Sequence, residues 1–195
     1  MRKLIMWNLI TLDGFFEGTS SWSLEFLHTA WSPELMQHSL DQLASADALL
    51  FGRITYAGMS QYWQKATDET AAYMNSLPKL VFSRTLERAD WNNTRLVKEN
   101  AVEEVRELKS KGSGNIFVFG SANLSATLIE AGLFDEYRLA VVPIILGAGR
   151  TLFGRDLARL RMNLLEARPL SSGCVILRYQ PAAAANPPIE PPTQV

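Results

Sequence analysis

The chain has 195 residues, 47% of them hydrophobic, which is the size and apolar content of one domain with a continuous core. A net charge of -1 with dispersed arginines excludes the basic field that holds a nucleic-acid backbone. One cysteine, Cys174, excludes an intrachain disulfide or a Cys cluster, and two histidines spaced ten apart, His28 and His38, exclude a zinc helix.

Two charges precede the first apolar stretch, but Asp13 arrives too soon for a secretory leader, and no segment approaches the roughly 20 apolar residues that cross a bilayer. The expectation is a cytoplasmic protein with no membrane partner. Leu4 to Leu12 is apolar and rich in β formers, broken only by Asn8 and Thr11, and ends at the turn signal Asp13-Gly14. Gly14 to Ser23 has no period and reads as a mobile loop in which Trp22 serves as a lid or ring platform. Ser32-Pro33-Glu34 supplies an N-cap, a proline at the first helical position and an early acid, so a helix runs from Pro33 to about Ser45.

Ala48 to Phe51 is the second strand, followed at once by a helical turn over Thr55 to Met59; Asp68 to Asn75 is helix-prone and closes at Pro78. Lys79 to Phe82 is a third strand, Arg95 to Val97 a short fourth, and Val102 to Lys111 a helix with Val102, Val105 and Leu108 on one side. Ile116 to Phe119 is a continuous buried-type strand, Ser121 to Ala131 a helix ended by Gly132, and Tyr137 to Ile145 another strand, a sequence that implies a right-handed crossover between parallel strands. Leu146 to Gly149 is a turn, and Gly147 to Gly154 shapes a subunit or substrate edge. Asn163 to Ala167 and Val175 to Tyr179 form a late pair, antiparallel at the sheet edge. Residues 1–180 are thus one domain, and the Pro/Ala-rich stretch 181–195 is a tail.

Three of these apolar runs end in similar chemistry: Gly52-Arg53-Ile54-Thr55, Ser83-Arg84-Thr85 and Gly120-Ser121-Ala122-Asn123. As neighbouring parallel strands they would gather glycine, hydroxyls and two guanidinium groups along one rim, where open α/β sheets bind ligands. Such a rim suits a phosphorylated cofactor. Ser121 reads equally as an N-cap or as part of a pyrophosphate site, because the first turn of a helix presents free N–H groups to an anion. Arg53 and Arg84 each come directly after an apolar strand-like run, and Arg53 has no acid within four residues, which favours ligand binding over a solvated surface group. Asp13 reads as a turn residue before a catalytic acid, Asp135-Glu136 as a surface cap of a strand, and Cys174 as a buried inert thiol.

Thr11-Leu12-Asp13-Gly14, Phe51-Gly52-Arg53-Ile54-Thr55-Tyr56, Lys79 to Leu86, Gly120-Ser121-Ala122, Leu133 to Glu136 and Pro143 to Gly149 resemble, in order, the dihydrofolate reductase-like superfamily. The branch is similar to the reductase domain of bifunctional riboflavin biosynthesis proteins and its stand-alone relatives. The resemblance implies a three-layer α/β fold, a twisted and mostly parallel sheet flanked by helices, with NADPH across the strand ends and hydride transfer to a small heterocyclic or carbonyl-like substrate. It places Gly52, Arg53 and Thr55 at the cofactor phosphates, Ser83, Arg84 and Thr85 at the adenosine 2'-phosphate, and Gly120, Ser121, Ala122, Asn123 and Leu124 at the pyrophosphate. Gly14 to Trp22 would cover the nicotinamide, and self-pairing as a homodimer is expected. The proline-rich stretch and helical carboxylate of true dihydrofolate reductases are missing, and Ser121 replaces the second glycine of the family's pair, so cofactor binding requires its side chain to turn aside. A non-catalytic nucleotide or small-molecule binder on the same fold is the alternative.

Overall fold

The computed structural model describes residues 2–154 and 157–183. Its centre is an eight-stranded sheet. In chain order the elements are β1 (Leu4–Thr11), β2 (Phe15–Glu17), a 3-10 turn (Glu25–Thr29), α1 (Pro33–Ala44), β3 (Ala46–Gly52), α2 (Arg53–Trp63), α3 (Glu69–Ser76), β4 (Lys79–Phe82), β5 (Thr94–Val97), α4 (Ala101–Ser110), β6 (Asn115–Phe119), α5 (Ala122–Glu130), β7 (Glu136–Val142), β8 (Arg150–Thr151), β9 (Met162–Pro169) and β10 (Val175–Pro181).

The strand order is β5-β4-β3-β6-β1-β7-β10-β9. Every pairing from β5 to β7 is parallel, while β10 runs antiparallel to β7 and β9 antiparallel to β10, as the late pair was expected to do. This is the three-layer α/β architecture anticipated from the sequence. The strands of the parallel part are apolar on both faces because helices cover both. Ile5, Trp7, Leu49, Phe51 and Phe117 pack on one side with Leu35 and Leu43 of α1, and Leu4, Met6, Leu50 and Val118 pack on the other with Val105 of α4 and Leu128 of α5.

The helix boundaries follow local chemistry. Ser32 accepts the Leu35 N–H and Pro33 occupies N1, so α1 starts where the sequence places it. At the far end of α5, Gly132 takes φ +64°, with Gly132 N–H donating to Ile129 and Leu133 N–H to Leu128, the paired bonds of a Schellman ending.

Several expectations need correction. The stretch Gly14 to Ser23 is not wholly irregular: β2 lies within it and pairs with β8 across more than 130 residues, Phe15 with Thr151 and Glu17 with Arg150. β8 interrupts the turn read over Gly147 to Gly154. α2 is twice the expected turn, beginning at Arg53 itself. β7 stops at Val142 because Pro143 has no N–H for the ladder. Glu136 is no surface cap: it is fully buried at the start of β7, where Arg138 and Arg178 donate to it and Lys3 lies 3.5 Å away. Cys174 is buried, as read. The 181–195 tail falls almost entirely outside the described residues, although Pro181 still belongs to β10. No helix among the described residues is long and apolar enough to cross a membrane.

Candidate functional site

Because β4, β3, β6 and β1 are adjacent and parallel, the segments that follow them emerge side by side. They line a cleft of about 630 Å³, within the usual range for small-molecule sites. Gly52, Arg53 and Thr55 follow β3, Ser83, Arg84 and Thr85 follow β4, and Gly120 to Leu124 follow β6; all of them line it, and Trp22 flanks it. Asp13 and Gly14 do not line it. The Asp13 carboxylate accepts hydrogen bonds from the Thr11 hydroxyl at 2.5 Å and from the N–H groups of Leu146 and Gly147, and these bonds hold its pKa below the usual carboxylate range. It anchors the end of β1 to the turn after β7 rather than meeting the cleft.

The turns after β3 and β6 are tied together in both directions. Ser121 N–H donates to the Thr55 hydroxyl at 3.0 Å, and Gly52 N–H donates to the Ser121 hydroxyl at 2.8 Å, which in turn donates to the Phe119 carbonyl at 2.8 Å. Gly120 and Ser121 both adopt left-handed backbone, φ +52° and +59°. A Cβ at Gly120 would lie 3.0 Å from the Thr55 hydroxyl, so only glycine fits without a shift. Ser121 satisfies the condition set by the sequence: its side chain is turned onto the β3 turn, and it gives α5 no side-chain cap. Thr55 and Ser83 likewise have backbone duties, Ser83 accepting the N–H groups of Thr85 and Leu86.

Among the described residues the five α-helices divide into two groups. α1 and α3, away from the cleft, are capped by the side chains of Ser32 and Asp68. α2, α4 and α5, whose first residues line the cleft, have no side-chain cap. Three sets of first-turn N–H groups without a side-chain cap thus open into one space, each carrying the positive end of a helix dipole. Arg53 and Arg84 stand beside them, exposed and without an ion pair among the described residues.

The inner end of the cleft contains residues the sequence reading missed. Trp7, Asn8 and Leu9 of β1 form its floor, with Phe16, Glu17 and Arg150 of the β2–β8 flap and Leu24 and Leu27 beyond Trp22. Glu17 is buried, accepts the Trp22 N–H, and pairs with Arg150 at 3.2 Å. Lys98 and Asn100 add to the outer wall. The flap residues left no local signal because their pairing spans the chain, whereas Asn8 was visible as a lone amide in an apolar strand.

A profile of the RibD C-terminal domain family matches residues 2–176. The chain is 34% identical over 183 residues to the uncharacterized protein YyaP of Bacillus subtilis, covering 91% of this chain and 94% of that protein. Among solved structures, a putative riboflavin biosynthesis protein from Shewanella sp. PV-4 superposes with a TM-score of 0.75 at 21% identity, covering 93% of this chain and 99% of the other. A diaminohydroxyphosphoribosylaminopyrimidine deaminase/5-amino-6-(5-phosphoribosylamino)uracil reductase from Thermotoga maritima gives 0.64 at 12% identity, over 93% of this chain and 57% of that longer one. With its parallel sheet, antiparallel edge and rim of turns, the chain belongs to the RibD C-terminal domain family, a reductase family of dihydrofolate reductase-like fold.

Proposed function

We propose that the protein is an NADPH-dependent reductase that passes hydride to a small heterocyclic or carbonyl-bearing substrate. The observation that carries this reading is the convergence of three uncapped helix starts and two unpaired guanidinium groups on one cleft. Such a rim fits a ligand with several phosphates, and a simple anion would leave most of it unfilled. Bound NADPH supplies the hydride and leaves as NADP+. The chain's own groups bind and orient it: Arg84 with the Ser83–Thr85 turn holds the 2'-phosphate, Arg53 and the start of α2 hold the phosphates over β3, and the Gly120–Leu124 turn holds the pyrophosphate. Trp22 and the β2–β8 flap keep water from the inner end.

The test is a pair of titrations. Replacing Arg84 with alanine removes a charge-assisted contact worth about 1.5–3 kcal/mol and lowers NADPH affinity roughly 10- to 100-fold, with little change for NADH, which lacks the 2'-phosphate. Equal losses for both nucleotides reject the assignment. NADPH oxidation over a panel of pyrimidine and carbonyl substrates separates a reductase from a binder that has lost its acceptor site. The same reading includes self-association, supported by Leu12 and Ile145, 65% and 71% exposed on adjoining segments joined by a Leu12 N–H to Ile144 hydrogen bond.

A further inference from the structure

Four buried side-chain polar atoms among the described residues have no hydrogen-bond partner: Asn8 Nδ2, His38 Nε2, Gln42 Nε2 and Glu136 Oε2. The last three lie in or beside the charged cluster where α1 meets β7. Asn8 alone lines the cleft. It is 5% exposed, and strand alternation puts it on the side of Leu4 and Met6, which pack against Leu124 and Leu128 of α5. An amide N–H buried without a partner costs about 1–3 kcal/mol, whereas leucine of similar size at the same position would cost nothing of the kind. The arrangement therefore sacrifices stability at one point of the cleft floor.

The strand order says what that donor faces. The turns run Ser83–Thr85 after β4, Gly52–Thr55 after β3 and Gly120–Leu124 after β6, and β1 is next in line, with Trp7 in register with Phe119 and Asn8 therefore beside the Gly120 turn. A dinucleotide laid along this row with its 2'-phosphate at Arg84 and its pyrophosphate over α5 reaches β1 with its nicotinamide ring. Resting on the cofactor reading above, we infer that Asn8 is a specificity-determining residue whose Nδ2 donates to the carboxamide oxygen of the nicotinamide. The amide selects for a carbonyl acceptor on the bound ring and sets the ring's orientation, and ligand binding satisfies the donor that the free protein leaves unpaired.

The test uses the full chain and three probes: NADPH, thionicotinamide-NADPH, whose sulfur accepts hydrogen bonds weakly, and adenosine 2',5'-bisphosphate, which has no nicotinamide. Asn8→Leu is expected to weaken NADPH at least about 10-fold, to leave the bisphosphate unchanged, and to raise the melting temperature of the ligand-free protein by about 2–4 °C. Independently of any variant, the unaltered protein is expected to bind NADPH more tightly than its thio analogue. Unchanged NADPH affinity in Asn8→Leu, an equal loss for NADPH and the bisphosphate, a lower melting temperature, or equal affinity for the two dinucleotides each overturns the inference. Failure of the unaltered protein to bind either NADPH or the bisphosphate instead overturns the cofactor reading itself.

Discussion

At the level of single residues, the charged cluster under α1 makes the fold sensitive to acid. His38 contacts Arg168 at 3.0 Å and the edge of Trp7, with Arg138, Glu166 and Arg178 nearby. Burial first, then the charges of Arg168 and Arg138, depress its pKa to about 4 from 6.5, Glu166 opposing only in part. The folded state therefore keeps His38 neutral while the unfolded chain protonates it. Stability is complete above pH 6.5 and is lost as pH falls from 6.5 to 4, by an amount on the order of 2 kcal/mol for a partly buried ring. Glu136 acts lower: burial pushes its carboxyl up, but hydrogen bonds and charge from Arg138 and Arg178 outweigh this and hold it at about 2, so its contribution fades only below 4.5. Denaturant midpoints across this range should flatten between pH 6.5 and 4 in His38→Gln; an undiminished slope in that variant would assign the acid sensitivity elsewhere. None of this was readable from the sequence, where His38 was one of two isolated histidines and Glu136 looked like a strand cap. Apart from Arg138, two residues from Glu136 on β7, the arginines they meet come from β9 and β10, far along the chain.

Among the elements, the flap and α2 are coupled through one missing side chain. Trp22 sits in left-handed backbone, φ +67°, with its indole over Gly58; a Cβ there would come within 2.3 Å of the ring. Glycine inside α2 costs about 0.5–1 kcal/mol relative to alanine, so its presence trades helix stability for a seat under the indole. Gly58→Ala should keep or raise global stability while displacing Trp22, seen as faster hydrogen exchange over residues 18–24 and faster NADPH release. Unaltered exchange there would mean that Gly58 does not seat the flap. Sequence reading was strongest where an element carries its own start and stop signals, as in α1 with Ser32 and Pro33 or β6 with its continuous apolar run. It failed at β2 and β8, whose two or three residues have no period and exist only because each has the other. Trp22 is legible in the sequence as a lid candidate, and Gly58, a glycine among helix formers, is the local clue to its seat.

For the whole molecule, the order of strands decides the site. Three similar strand endings were legible in the sequence, and the parallel neighbours β4, β3 and β6 turn that repetition into one rim. The floor was not legible because it belongs to β1 and to a flap assembled from both halves of the chain. The exposed Leu12 and Ile145 pair bears on assembly: burying it between two copies would remove large apolar side chains from water, each worth about 1.5–3 kcal/mol when fully covered. Sedimentation at micromolar concentration should report a dimer, and Ile145→Lys a monomer with its cleft intact. A monomer in both cases would leave that surface without a partner.

The division of the helices into capped and bare has a cost that falls on the empty protein. Leaving α4 and α5 without a side-chain cap forfeits about 1 kcal/mol each and the glycine cap of α2 a few tenths more, all beside the two exposed cations Arg53 and Arg84. On the nucleotide reading proposed above, the molecule without its ligand is the fragile form, and nucleotide supply should govern how long it survives heat and proteases. On that reading, scarcity of the dinucleotide would thin out the protein as well as slow it, with abundance following the pool it draws on.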